Sequence, residues 1–146
     1  MIEKINLKHN REEYFECVND LIDHSKSGSQ VTPVDIFYNR VAGQNKNYEV
    51  YVYLIDNKIV ATAAIVYEYK LKYIQPKAHI EDVAVHKDYR GKGLGKEIVK
   101  ACINVAQKNN CYRIVLTCED SLITYYEQLG FTKSNNFMVR TYSRIK

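Results

Sequence analysis

Apolar residues recur with two different periods along the chain, and the change of period indicates where strands give way to a helix. Two stretches rich in β-branched and aromatic residues, 48–55 and 58–70, flank Asp56 and Asn57, which predicts an antiparallel hairpin. Residues 78–85, AHIEDVAV, predict a further strand. Beyond them the apolar spacing changes to three or four, which predicts an amphipathic helix to about residue 109; its apolar residues are Leu94, Ile98, Ala101, Cys102 and Val105.

The N-terminal part of the chain predicts one strand and two helices. Residues 2–8 alternate loosely, as a first strand would. Asn10 followed by Glu13 is typical of a helix start, and an apolar stripe comes after it, formed by Phe15, Val18, Leu21 and Ile22. Residues 25–30, SKSGSQ, predict a loop, and Pro33 at a first helical position predicts a short second helix through Val41.

The C-terminal part predicts a strand at 111–118, a short helix at 120–130 that ends at Gly130, and a last strand at 137–143. Residues 78–118 therefore run strand, glycine-rich turn, helix, strand, which predicts a βαβ unit with two parallel strands. The preceding hairpin makes the sheet mixed. This pattern favours an α+β fold over a doubly wound sheet, because only one clear crossover helix separates the strands.

Length, charge and cysteine spacing narrow the class of protein. The 146 residues fit one domain, so we expect residues 1–146 to form a single unit. A net charge of +4, with basic residues spread along the chain, favours a small anionic ligand over nucleic acid. The four cysteines show no CxxC spacing, and no metal site is expected. The N-terminus lacks an apolar signal core and the longest apolar run, 59–67, is far short of the ~20 residues of a membrane span, so we expect a cytoplasmic protein with no membrane partner.

The stretch DYRGKGLGKE, residues 88–97, places three glycines among basic residues where the predicted strand passes into the predicted helix. Unpaired amides and the positive end of the helix dipole meet at such a position, and glycine lets an anion approach the backbone closely. The sequence therefore predicts an anion-binding loop, although glycines that only turn the chain would give the same composition. The residues expected to form it are Arg90, Gly91, Lys92, Gly93, Leu94, Gly95 and Lys96.

Spacing excludes two common phosphate-binding motifs. A Walker loop requires GxxxxGK followed by Ser or Thr, whereas Gly95 and Lys96 come one position early and Glu97 follows them. A dinucleotide fingerprint that starts at Gly91 requires glycine at position 96, where lysine stands. The remaining pattern, RGKGLG, resembles the R/Q-x-x-G-x-G/A loop of the GNAT superfamily of acetyl-CoA-dependent N-acetyltransferases, in which this loop holds the pyrophosphate of the coenzyme.

A second motif extends this resemblance. Residues 124–131, TYYEQLGF, resemble the aromatic-rich short helix ending in Gly-Phe that follows in the same family. Within residues 79–131, the segments HIEDVAVHKDYRGKGLGK, CYRIVLTC and YYEQLGF together resemble the eukaryotic-type glucosamine-6-phosphate N-acetyltransferases. The resemblance implies a three-layer GNAT-like fold, acetyl-CoA as cosubstrate, and glucosamine 6-phosphate as an acceptor on the route to UDP-GlcNAc. It also implies a homodimer formed through the last strand.

The same resemblance assigns roles by position. Glu81 and Asp82 match the acidic pair at the sugar site, and Tyr126 matches the tyrosine near the coenzyme sulfur. We therefore expect Glu81 or Asp82 to orient and help deprotonate the amine, and Tyr126 to hydrogen-bond or protonate the leaving sulfur. Adjacent strand residues point to opposite faces unless a bulge re-aims one of them. The backbone expected to pair with the pantetheine arm is that of Val83, Ala84 and Val85. The basic positions around the sugar phosphate are Lys70, Arg113 and, across the dimer interface, Arg140.

The chain also departs from that family. Thr117 stands where the family usually has an acidic residue, and Leu122 stands where it has asparagine. Other acceptors therefore stay open, namely a polyamine, an aminoglycoside or a peptide amine, and so does a non-catalytic acyl-CoA-binding module. No cysteine is placed as a nucleophile beside a histidine, which favours direct transfer in a ternary complex, with Cys118 the nearest candidate for a covalent route.

Overall fold

A computed structural model describes residues 1–21, 41–43 and 46–140 of the chain. Five strands form one sheet in the order β1-β2-β3-β4-β5, namely β1 (Ile2–Lys4), β2 (Tyr48–Ile55), β3 (Lys58–Glu68), β4 (Lys77–Val85) and β5 (Arg113–Val115). Neighbours from β1 to β4 are antiparallel, and β5 runs parallel to β4. The predicted mixed, mainly antiparallel sheet and its βαβ unit are confirmed.

Three helices accompany the sheet in the described ranges, namely α1 (Arg11–Val18), α2 (Leu94–Lys108) and the short α3 (Ile123–Glu127). The Asn10 side chain caps α1, because its Oδ1 accepts hydrogen bonds from the amides of Glu12 at 2.9 Å and Glu13 at 3.3 Å. Single 3₁₀ turns lie at Asn19–Leu21, Lys87–Tyr89 and Asp120–Leu122. None of the helices described here is long and apolar enough to cross a membrane.

The sheet buries both of its faces against helices. The face that we call the α1 face packs its apolar residues against α1; the buried cluster includes Tyr14, Cys17, Val18, Val50, Val52, Ile59 and Ala64. The opposite α2 face packs against α2 and α3; its cluster includes Ala63, Ile65, Ile80, Ile98, Val99, Cys102 and Tyr126. The predicted three-layer arrangement is therefore confirmed. The Asp56-Asn57 turn is also as predicted, since both residues have positive φ, as a tight hairpin turn requires.

The predicted last strand at 137–143 is wrong for the part that the structure describes. Residues 137–140 form no strand, and Phe137 and Met138 are 74% and 89% exposed. Alternation of apolar residues does not make a strand unless a neighbouring strand supplies hydrogen-bond partners. The segment instead leaves an exposed apolar stretch, and residues 141–143 lie outside the described ranges.

The predicted stripe on the first helix also needs correction. Leu21 is 48% exposed, because α1 ends at Val18 and the following 3₁₀ turn changes the period. Tyr14 and Cys17 occupy the buried positions instead. Ile22, the loop at 25–30 and the helix from Pro33 lie outside the described residues, apart from Val41 at its predicted end, which is buried.

Candidate active site

The two parallel strands separate soon after they meet. β5 pairs with β4 at only three positions, the last of them His79 with Val115, although the sequence predicted a strand over 111–118. From residue 80 to Val85, β4 pairs with β3 on one side and has no β5 partner among the described residues. An extended ligand can therefore pair with this edge as an added strand would. The edge includes Val83, Ala84 and Val85, the residues expected from the sequence to pair with the pantetheine arm.

The glycine-rich loop lies at the end of that open edge. Gly91 and Gly93 have φ of +78° and +80°, in the left-handed region that favours glycine. Gly93 is also the N-cap of α2, and the first helical hydrogen bond runs from the Glu97 amide to the Gly93 carbonyl at 3.1 Å. The amides of residues 94–96 precede this bond, so they have no acceptor within the helix. They form a set of donors at the positive end of the helix dipole.

Basic side chains surround the loop, as predicted, but two of them pack on tyrosines. The Lys92 ammonium lies 5.2 Å from the ring centre of Tyr89. The Lys96 ammonium lies 5.5 Å from the ring centre of Tyr125 and donates to the Gln128 side chain. Arg90 donates through Nε to the Val85 carbonyl at 3.1 Å, which joins the loop to the end of β4. These contacts hold positive charge beside the helix start.

Gly95 leaves room for a neighbouring side chain, whereas Gly91 and Gly93 allow a backbone conformation with positive φ. A Cβ at this position would lie 2.7 Å from the Tyr125 hydroxyl oxygen, a separation that real Cβ atoms essentially never show. Burial raises the pKa of Tyr125, so its hydroxyl stays protonated at neutral pH. The missing side chain therefore lets α3 lie against the first turn of α2.

A bulge brings the two predicted carboxylates to the same face. Ala64 pairs with Glu81 and Thr62 with Ala84, so two residues of β4 oppose a single residue of β3. One of these two is Asp82, whose φ is +53°. Its Oδ2 accepts a hydrogen bond at 3.1 Å from the hydroxyl of Tyr48, a residue that packs on the α1-face cluster. Glu81 lies on the same face, because its partner Ala64 belongs to that cluster.

Glu81 lines a cleft of about 500 Å³ on this face, together with Val66, Tyr67, Glu68 and His79. Burial raises the pKa of Glu81, the adjacent charge of Asp82 raises it further, and His79 acts in the opposite direction. A carboxyl group that binds protons more readily than usual is suited to receive a proton from an amine.

One end of the cleft carries a cluster of basic side chains around a single carboxylate. Glu68 contacts His79 at 2.7 Å, Lys77 at 3.0 Å and the predicted residue Lys70 at 3.2 Å. Hydrogen bonds from these three groups, led by His79, lower the pKa of Glu68 to about 2. Sequence reasoning missed Lys77 and His79. Their signal was the period of two along β4, which puts both on the same face as Glu81.

The two predicted arginines lie in different settings. Arg113 begins β5 and pairs in register with Lys77, so it lies at the same end of the sheet as the cluster. Arg140 lies in the irregular segment that follows residue 131, and no described strand carries it. The register therefore brings Arg113 to the basic end of the cleft.

Tyr126 lies on the other side of the sheet. Tyr126 is 9% exposed and belongs to the α2-face cluster. The centre of its ring lies 6.0 Å from the centre of the Phe131 ring, and the two rings meet edge to face. Burial raises its pKa, and the charges of Tyr125 and Cys118 act in the same direction. Its carbonyl accepts from the amides of residues 129 and 131, which closes the motif after Gly130. Tyr126 and the acidic pair therefore lie on opposite faces of the sheet.

The two departures from the motif pattern, Thr117 and Leu122, are both exposed. Within the described ranges, no group of three or more His, Cys, Asp and Glu side chains is placed to hold a metal ion.

Comparison with known proteins places these features in one family. The model of the acetyltransferase (GNAT) family matches residues 10–131. The glucosamine 6-phosphate N-acetyltransferase of Candida albicans is 37% identical over 91 residues, which cover 60% of this chain and 61% of that protein. Glucosamine 6-phosphate N-acetyltransferase 1 of Dictyostelium discoideum is 29% identical over 124 residues, covering 82% and 76%. The chain thus spans less than two thirds of the Candida relative.

A crystal structure of glucosamine-6-phosphate N-acetyltransferase from Arabidopsis thaliana superposes with a TM-score of 0.82, at 26% identity and over 98% of both chains. These likenesses support the prediction of an acetyltransferase. The chain belongs to the acetyltransferase (GNAT) family, as its two motifs predicted.

Proposed function

We propose that this protein transfers the acetyl group of acetyl-CoA to the amine of glucosamine 6-phosphate, giving N-acetylglucosamine 6-phosphate for UDP-GlcNAc synthesis. The observation that carries this proposal is the continuous path along the open edge of β4. The path runs from the helix-start amides to the acidic pair at the bulge. The names of the relatives support the choice of acceptor.

The residues around the open edge fit acetyl-CoA. The amides of residues 94–96, with Arg90 and Lys92 beside them, would bind the diphosphate. The backbone of Val83 and Ala84 would pair with the amide groups of the pantetheine arm. The bound coenzyme supplies the acetyl thioester, and the direction of the edge leads it towards Glu81 and Asp82.

The acceptor must lose a proton before its nitrogen can attack, because an ammonium group has no free electron pair. Glu81, whose pKa is raised by burial, takes that proton directly or through water, while Asp82 holds the amine. The nitrogen then bonds to the acetyl carbon and, as the carbon–sulfur bond breaks, gives up its second proton to water, from which Tyr126 is reprotonated after the reaction. Tyr126, which stays protonated because burial raises its pKa, donates its proton to the departing thiolate. This direct route uses no cysteine nucleophile.

Cations at the far end of the cleft support a phosphate-bearing acceptor. Lys70 and Lys77 bring two positive charges to a site where Glu68 supplies one negative charge, and Arg113 lies beside Lys77. The remaining positive charge attracts a phosphate, which competes with Glu68 for the two ammonium groups.

We also propose that the protein is a cytoplasmic homodimer joined through the segment that carries Arg140. Three exposed apolar residues precede Arg140, with Val139 still 67% exposed, which supports a protein partner on this segment. All four cysteines are free, which supports a reducing compartment. Sedimentation equilibrium should give twice the chain mass, and a monomer would leave Arg140 without its proposed role.

A thiol-release assay tests the proposed function. Acetyl-CoA is incubated with glucosamine 6-phosphate, glucosamine, a polyamine, an aminoglycoside or a peptide amine. We expect the highest kcat/KM for glucosamine 6-phosphate. Lys70→Ala should raise the KM for that acceptor and leave the KM for free glucosamine unchanged, whereas the control Lys72→Ala, in the adjacent loop, should change neither. Equal turnover of glucosamine and its phosphate would contradict the proposed phosphate site.

A further inference from the structure

Tyr48 and Asp82 lie on strands that are not neighbours, yet their side chains meet. Tyr48 begins β2, Asp82 lies in β4, and β3 runs between them. The Tyr48 hydroxyl donates to Asp82 Oδ2 at 3.1 Å. On β3, the small residue Ala64 pairs with Val50 on one side and Glu81 on the other, and Tyr48 packs against the cluster that contains it.

The main chain alone does not fix the Asp82 carboxylate. Asp82 lies in the bulge, where the extra residue has no regular ladder partner, and its φ of +53° is a conformation that residues other than glycine adopt only at a cost. The residue is also exposed, so packing does not hold its side chain in one rotamer. The hydrogen bond from Tyr48 supplies a constraint that the strand does not.

The Tyr48 phenol keeps its proton over the working pH range. Burial raises the pKa of Tyr48 well above its usual range, and the charge of Asp82 raises it further. The phenol therefore stays protonated and donates whenever the Asp82 carboxylate is ionised. Because the bond engages Oδ2, Oδ1 remains able to accept from an ammonium group.

We propose that Tyr48 is a positioning residue that fixes the Asp82 carboxylate towards the acceptor amine, beside Glu81. The inference rests on the proposed function, in which Asp82 holds that amine. Tyr48 itself need not touch either substrate. It acts across β3 by setting the direction of a carboxylate that the bulge has turned onto the α1 face.

The test is the Tyr48→Phe variant, which keeps the ring and removes only the hydroxyl. Tyr51→Phe is a matched control, since Tyr51 lies on the same strand and also donates to a carboxylate, that of Glu49 at 2.7 Å. We expect Tyr48→Phe to lower kcat by about 10- to 100-fold, the usual effect of losing a hydrogen bond to a charged group. The KM for acetyl-CoA should not change, and Tyr51→Phe should keep the wild-type kcat.

The Tyr48→Phe substitution in a protein that already lacks the Asp82 carboxylate distinguishes a loss of positioning from a general loss of activity. In an Asp82→Ala protein, Tyr48→Phe should cause little further loss of kcat, because the carboxylate that it positions has been removed. A wild-type kcat in Tyr48→Phe, or an equal fractional loss in both backgrounds, would overturn the inference while leaving the proposed function standing. If the wild-type protein acetylates none of the amines tested, the proposed function fails first, and the inference fails with it.

Discussion

Replacement of Gly95 by alanine tests whether α3 and the start of α2 are packed as the structure shows. In most helices this change stabilises a protein by about 0.5–1 kcal/mol, because alanine has the higher helix propensity. Here the new Cβ would lie 2.7 Å from the Tyr125 hydroxyl oxygen, so the Tyr125 ring must move. Forced overpacking of this kind costs about 1–3 kcal/mol. We therefore expect a net loss of stability.

Gly95→Ala should stabilise the protein, and not destabilise it, when the Tyr125 hydroxyl is removed. In a Tyr125→Phe protein the nearest atom to the new Cβ is Val85 Cγ2 at 3.6 Å, followed by Tyr125 Cζ at 3.9 Å, and both are ordinary contacts. Gly95→Ala should then stabilise the protein by the propensity difference of about 0.5–1 kcal/mol.

Thermal unfolding followed by circular dichroism gives the comparison directly. With about 3 °C of Tm per kcal/mol for a chain of this size, the midpoints of the two ranges leave a net cost of about 1.25 kcal/mol, so Gly95→Ala should lower Tm by roughly 4 °C in the wild-type background and raise it by about 2 °C beside Tyr125→Phe. A Tm change of the same sign and size in both backgrounds would refute the proposed contact between Gly95 and Tyr125.

Three further predictions concern the chemistry and the loop. Burial and the Asp82 charge raise the pKa of Glu81 above the usual 4.5, so the acid limb of kcat/KM should lie above that pH and move to lower pH in Asp82→Asn; a limb that stays in place would contradict this coupling. Tyr126→Phe should lower kcat in steady-state assays with little change in the KM for acetyl-CoA, and an unchanged kcat would remove Tyr126 from the chemistry. Gly93→Ala should lower stability by about 1–2 kcal/mol in denaturant titrations, because φ is +80° there, and full stability would show that the loop adopts another conformation.

Local signals in the sequence predicted much of this fold. The side chain of Asn10 is suited to accept from the amides of a first helical turn, and the structure shows that cap. Asp56 and Asn57 tolerate positive φ, so the hairpin follows from two adjacent residues. The helix after the glycine loop follows from its apolar period. Each of these features depends on neighbours within a few positions in the chain.

Features that depend on distant contacts were not predictable in the same way. Residues 81 and 82 are compatible with both regular alternation and a bulge, and only the pairing with β3 selects the bulge. The segment after residue 136 has the composition of a strand, yet no described strand pairs with it. The contact between Gly95 and Tyr125 joins two helices that are separated by a strand, and the spacing of glycines carries no information about it.

The central claim is that amides at the start of α2 bind the diphosphate of the coenzyme, and calorimetry with coenzyme A and pantetheine tests it most directly. The two ligands share the arm that would pair with β4, but pantetheine lacks the diphosphate. We predict that coenzyme A binds with measurable heat and that pantetheine binds at least about 100-fold more weakly, as expected when charge-assisted hydrogen bonds to the diphosphate are lost. Equal affinities for coenzyme A and pantetheine, or no heat with coenzyme A, would contradict the claim.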